Sequence, residues 1–556
     1  MTKFVFDRSA RHGIGRAVAL TRRTLMAGVA TFAIAASLPL SSAWAQDEKV
    51  LRVGMTVADV PLTTGQANQG GEGTRFIGLT LYDALINWDL SKSEEPSVLR
   101  PGLATEWSVD DDTQTVWTFK LREGVTFHDG SDFTADAVIW NLEKLLNKES
   151  PQYDASQAAQ ASQWFGAIAS YEKIDDMTVA ITTKEPDATF PYQIAGIMYS
   201  SPAQWEKLGG DWGKFAVEPS GTGPFMLDRL VPRERAELVK NPNYWDPARV
   251  PASDRLILMC MPDASTRVAA LLSGQVDFIE APSPDAVPRL KSSGMQIVTN
   301  VYPHIWPYQL SYQPDSPFLD LKVRKAANLA IDREGLSQFL GGLAVPAKGQ
   351  VTEGHPWFGN PTFEITYDPE QALSLMQEAG YGPDNPLHVK LLISTSGSGQ
   401  MQPLPMNEFI SENLTAVGFD VEFEVFEWEA LRARRRAGAM APENEGADGL
   451  NNSWAFWDPN IGILQAAASD MTPPAGFNWG GYSNPEIDVL AKQAKVAFDP
   501  AEQNKLLGEI HSKMVDDAMW IWVVHDLNPR ALGPNVKGFV QAQNWYQDLT
   551  PVYVDN

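Results

Sequence analysis

The chain has one cysteine, Cys260, in 556 residues. No internal disulfide can form, and no cysteine is available near the N-terminus for a lipid anchor. The seven histidines are His12, His128, His304, His355, His388, His511 and His525. None forms an H-E-x-x-H pair or another close metal spacing, so no metal site is expected. A G-x-S-x-G elbow and a G-x-x-x-x-G-K phosphate loop are both missing. Together these gaps argue against an enzyme and against a resident cofactor. A hydrolase with a dispersed triad stays as the remote alternative, because triads assemble in space and not in sequence. No stretch beyond residue 45 approaches the 18 apolar residues a spanning helix needs. Basic charge is also scarce: 44 Lys plus Arg stand against 69 Asp plus Glu, a net charge of −25. Such a field argues against nucleic acid and anionic lipid as partners. The run Arg432, Arg434, Arg435, Arg436 is the local exception. It reads as a solvated helix face, with an anion site as the alternative.

What is present begins with a targeting segment. Residues 1–45 hold six basic residues and one acid, then an Ala-rich run from Leu25 to Leu38, Pro39 and a small-x-small site at Ala43-Trp44-Ala45. Arg22-Arg23 before the run resembles a Tat signal; an ordinary Sec signal is the alternative. Either route takes the mature chain to the periplasm, and loss of the segment deepens the charge from −25 to −30 (44 − 6 = 38 bases, 69 − 1 = 68 acids).

The remainder is rich in core material, with 18 Trp, 24 Phe and 14 Tyr. Alternation predicts strands at 51–55, 116–122, 177–183, 388–394 and 420–426. Helical spacing runs from Phe76 to Leu85, after a Gly- and Gln-rich loop over 63–74. Thr134, Asp320, Asp368 and Asn484 stand where helix caps belong, and Gly380 where a helix ends. Cys260 reads as a buried strand residue. Strands alternate with helices nearly throughout, which gives an α/β layered fold.

Seven segments in order then resemble one family. They include Arg100-Pro-Gly-Leu-Ala-Thr-Glu-Trp107, Trp117 to Gly130 with Phe133 to Val138, Gly221 to Phe225 with Asn241 to Trp245, and Arg267 to Asp277. Pro317 to Arg333, Tyr367 to Tyr381 and Tyr482-Ser-Asn-Pro485 complete the set. The chain resembles the family 5 extracellular solute-binding proteins of ABC importers, the dipeptide, oligopeptide and nickel type. The resemblance implies a bilobal fold with two hinge crossings and an extra α+β subdomain. It places lobe I at 46–302 plus 526–556, with 92–216 as the subdomain, and lobe II at 303–525. It implies a monomer that captures a small polar solute by hinge closure and passes it to an inner-membrane permease. In that setting His128-Asp129-Gly130 is a structural turn.

The same resemblance locates the solute cleft. Asn451 to Pro459 matches a segment where peptide binders place an aspartate for the peptide's amino group, and here that position is Ala455. A bound ammonium would lose a charge-assisted partner. Either Asp458 or another acid substitutes, or the solute, an opine, glycoside or modified peptide, has no free α-amino group; a metal chelate held by histidines or by arginines such as Arg432 is a further option. Trp454, Phe456 and Trp457 form an aromatic box suited to ring stacking, with at least one expected in the core. Trp428, Asn478, Trp479, Tyr482, Trp306 and Tyr308 are further candidates, as are Gln69 and Gly70 in the loop after the first strand, beside Gln66, Asn68 and Gly71.

Overall fold

The computed structural model describes residues 48–301, 303–397 and 399–555. The targeting segment lies outside the described residues. Two seven-stranded sheets organise the chain. The first runs in the order Gln296–Val298, Arg530–Leu532, Phe278–Glu280, Val50–Met55, Arg255–Cys260, Arg235–Lys240, Phe225–Val231. Val50–Met55 lies at its centre, parallel to both neighbours. Cys260 ends the adjacent strand only half-buried.

The second sheet is built around His304–Leu310 and Trp520–Asp526, paired antiparallel. Every residue of these two strands is buried, because helices and loops cover both faces. Leu387–Ser394 and Phe419–Phe426 pair in parallel at the sheet's edge, where the alternating pattern predicts them. A separate antiparallel sheet of Ala104–Val109, Val116–Leu121, Thr178–Thr183 and Ile168–Asp175 makes the α+β subdomain.

The chain passes from the first sheet to the second between Val298 and His304, and returns between Asp526 and Arg530. The two crossings touch: the Asn300 N–H donates to the Leu527 carbonyl at 3.1 Å. This is a bilobal α/β fold with a double hinge. The α+β subdomain reaches across to the second lobe, where Ala188 N–H donates to the Lys495 carbonyl at 2.7 Å and Lys495 pairs with Glu185 at 2.7 Å.

Helix punctuation follows local chemistry. Asp320, Asp368 and Asn484 each accept a backbone N–H in the first turn of their helices. Thr134 occupies its N-cap with no side-chain cap bond. The helix expected over 76–85 instead spans Gly70 to Leu81 in three contiguous pieces. It starts inside the segment expected as a loop, because Gln69 adopts a left-handed φ of 66° that turns the chain into the first helical residue. It stops at Tyr82, which is extended and fully buried.

Candidate functional site

Between the lobes lies a cavity of about 90 Å³ with walls from both. The second lobe supplies the helix Trp428–Ala437 and the segment 452–457. Glu427 caps that helix, its carboxylate accepting from the Glu429 N–H at 2.9 Å. Trp428, Arg432 and Arg435 stand at i, i+4 and i+7, so one face of the helix carries all three into the wall. Trp454 belongs to a short strand paired with His304–Leu310, which holds it beside the hinge. Its indole donates to the Ile461 carbonyl at 3.1 Å. The Arg435 guanidinium packs 5.2 Å from the Trp454 ring and 4.5 Å from Phe477.

The first lobe supplies Gly70, Gly71 and Thr74 from its opening helix, and Trp545 and Tyr546 from the C-terminal segment. Trp457 packs across the gap against both, 6.0 Å from Trp545 and 5.4 Å from Tyr546. Gly71 has a reason to be glycine: a Cβ there would lie 1.1 Å from Trp545 Nε1. Gln160, Gln163 and Trp164 of the α+β subdomain close one end.

Of the residues expected at the site, the structure brings together Trp428, Trp454, Trp457 and Gly70, around Ala455. The others do separate work. Asp458 turns away and caps the following turn, accepting from the Ile461 N–H at 2.9 Å. Burial pushes its carboxyl up to about 7. It therefore does not stand in for the missing aspartate. Phe456 faces the opposite side, edge-on to His355 and His525, where it borders a second cavity of about 270 Å³ that shares Trp457. Phe456 and Trp454 both belong to the buried core, and of the two only Trp454 also borders the first cavity.

Asn478 spends its amide on the Ala468 and Tyr482 carbonyls. Trp479 packs beneath Trp428 in a small buried cluster. The Tyr482 hydroxyl donates to Asp517 at 2.6 Å. Trp306 and Tyr308 are completely buried among the helices of the second lobe, and the Tyr308 hydroxyl is held by Asn407. Strand alternation points these two inward because both faces of the central sheet are covered. Gln69 shapes the turn before Gly70 without lining the wall, Gln66 is buried against Met198, and the Asn68 side chain accepts from Leu62 N–H.

One correction changes the chemistry. The arginine run is not a solvated face. Arg435 is 7% exposed, and Arg432 is mostly covered, its Nη1 donating to Glu429 at 2.8 Å. The i, i+4, i+7 stripe with Trp428 was the available signal, because a solvated face has no reason to share its stripe with a tryptophan. Trp545 and Tyr546 carry no local signal; only the return of the chain to the first lobe brings them here. Among the described residues no histidine and no acid lines this cavity.

A family model described as bacterial extracellular solute-binding proteins, family 5, middle region, matches residues 98–485. The chain belongs to that family. Its role is solute binding for an ABC importer. Over 536 residues it is 29% identical to the glutathione-binding protein GsiB of Escherichia coli, covering 94% of this chain and 97% of that one. It is 28% identical over 505 residues to heme-binding protein A of Haemophilus influenzae, covering 87% and 89%. In fold it resembles the periplasmic binding protein DppA of Helicobacter pylori in complex with the peptide STSA. There the TM-score is 0.79 at 22% identity, over 92% of this chain and 99% of that one. These relatives are named as binding proteins, not as enzymes. Among the described residues no helix is long and apolar enough to cross a membrane.

Proposed function

We propose that this chain is a periplasmic monomer that closes its lobes on a polar solute of peptide size and delivers it to an inner-membrane permease. The carrying observation is the aromatic wall contributed by both lobes, Trp454 and Trp457 from one and Trp545 and Tyr546 from the other. A solute that touches both walls favours the closed state by its differential contacts. Lobe I then comprises 48–298 and 530–555, and lobe II 304–526, following the two sheets. Export by the twin-arginine signal accompanies this reading.

The solute class leans away from free peptides. Ala455 sits in the wall where a peptide binder keeps its aspartate, and Asp458 is committed to a cap. Solutes with a blocked or absent α-amino group, such as opines, glycosides or modified peptides, fit better than an open ammonium terminus. A metal chelate held by histidines has no support, since none lines the cleft.

Thermal-shift and tryptophan-fluorescence titrations of the mature chain test this. The panel is di- to pentapeptides, glutathione, heme, opines, glycosides and metal chelates. At least one polar organic solute is expected to raise the melting temperature saturably. If none does, the capture role is lost. If free peptides bind as well as their N-acetyl forms, the argument from Ala455 is lost.

A further inference from the structure

We propose that the cleft selects solutes carrying a carboxylate, seated on the Arg435 guanidinium and the Trp428 indole N–H, with Arg432 beside them. This rests on the solute-capture reading and names its solute class.

The polar atoms of the wall carry the argument. Arg435 Nε and Nη1 and Trp428 Nε1 are buried and make no hydrogen bond to any described residue. All three are donors, and none of them can accept. An unmade bond at a buried donor is costly, more so at a charged one, so a molecule that accepts from these atoms recovers free energy on arrival. Among the described residues the wall holds two arginines and no acid. The nearest acid on the helix is Glu429, and it is already taken by Arg432 at 2.8 Å, with Arg436 at 3.9 Å.

Arg435 is thus a buried cation with aromatic neighbours and no counter-ion. Burial, then the charges of Arg432 and Arg436, act against its protonated form. A guanidinium nevertheless keeps its proton in a protein, so the charge stays and calls for an anion. The planar fork of Nε and Nη groups matches the two oxygens of a carboxylate. Trp454 and Trp457 supply the flat apolar surface for the rest of such a solute. An ammonium in the same chamber would meet two guanidinium groups and no carboxylate.

The test uses small probes on the whole mature chain: benzoate, benzamide, benzylammonium and phenyl phosphate, at constant ionic strength. Melting temperature and tryptophan fluorescence are followed for the wild type, Arg435→Gln and Arg434→Gln. Benzoate is expected to act saturably, in the range of about 10 mM or below as suits a fragment. It should be roughly tenfold stronger than benzamide, the cost of a lost charge-assisted bond, and benzylammonium should be inert. Arg435→Gln should lose that preference, while its unliganded melting temperature stays equal or rises, because an unpaired buried charge has gone. Arg434→Gln should behave as wild type.

The proposal is overturned if benzamide equals benzoate, if benzoate shows no saturable effect, or if Arg435→Gln keeps the preference. It is also overturned if phenyl phosphate beats benzoate, which would make the site one for phosphate esters. Should Arg435→Gln fail to fold, Arg435→Lys is measured: weakened but retained benzoate preference supports the proposal, and a wild-type response overturns it. If these outcomes fail while a peptide or glycoside still binds, carboxylate selection falls and solute capture stands.

Discussion

Two groups of arginines lie between the lobes, and their surroundings differ in kind. At the hinge, a cavity of about 250 Å³ is bordered by Arg75, Arg267 and Arg530. Glu280 bridges two of them, to Arg75 at 2.5 Å and to Arg530 at 2.7 Å. Arg267 donates to the carbonyls of Met261, Glu280 and Ala281. Burial pushes the Glu280 carboxyl up, but Arg530 and Arg75 pull it below its usual range. At the cleft, Arg435 is also buried and has no such partner among the described residues. The hinge holds its charges in ion pairs with Glu280 and in bonds to backbone carbonyls, and so contributes a fixed geometry. The cleft has left its donors open, which costs stability in the free protein and leaves free energy to be recovered by a ligand.

The largest test of this contrast removes the bridging carboxylate. Glu280→Ala leaves Arg75 and Arg530 buried against each other, and a loss of about 3–5 kcal/mol is expected in denaturant unfolding. A stability unchanged or raised, as expected for Arg435→Gln, would erase the distinction between the two sites.

The second test uses pH and the cap beside the cleft. Asp458 sits at about 7 in the folded chain, raised by burial. Its contribution to stability is therefore complete below the ordinary aspartate range and is lost as pH rises through 7. Asp458→Asn keeps an acceptor for the Ile461 N–H and lacks that loss. Relative to wild type it should gain on the order of 3 kcal/mol between pH 4 and pH 9, read from unfolding curves across that range. A flat difference would show that the carboxyl is not desolvated. Asp526 at the hinge is also raised to about 7, by burial first, so Asp526→Asn should follow the same sign. The buried histidines work oppositely: His511 and His525 are lowered to about 4 by burial, and their contribution is lost as pH falls from 6.5 through 4.

The third test is steric. Gly71→Ala drives a methyl into Trp545 and should cost about 1–3 kcal/mol. It should also weaken any solute that bridges Trp457 and Trp545. The smallest effect is expected at the outer contact of the lobes. Glu185→Ala removes a pair with Lys495 whose carboxylate is 63% exposed while leaving Lys495 beside the buried Asp187, and less than about 1 kcal/mol should be lost. A larger loss would move the closure energy from the aromatic wall to that rim.

Much of this architecture was legible in the sequence. The strands at 387–394 and 419–426 and the caps at Asp320, Asp368 and Asn484 follow from alternation and turn chemistry, which act within a few residues. The site was legible in part. Trp428, Trp454 and Trp457 reach the cleft, since the helix and strand that carry them are themselves readable. Trp306, Tyr308, Asn478 and Tyr482 do not, because amphipathic side chains serve a core as readily as a cleft, and only the neighbouring element decides which. Arg435 reads as solvated in the sequence for the same reason: four clustered charges look solvated until the partner wall is in place.

The sequence by itself determined the α/β layering, the family and the lack of an aspartate at Ala455, because these depend on residue identity and short-range order. Tertiary structure decided which tryptophans line the cavity between the lobes, that Asp458 is buried at its cap, and that Arg435 is buried without a counter-ion among the described residues. The first and the last of these depend on elements that only the fold brings together, whereas the Asp458 bond to Ile461 is local and only its burial is tertiary. Trp545 comes to Trp457 only because the chain crosses the hinge a second time, and burial, unlike residue type, is a property of the meeting.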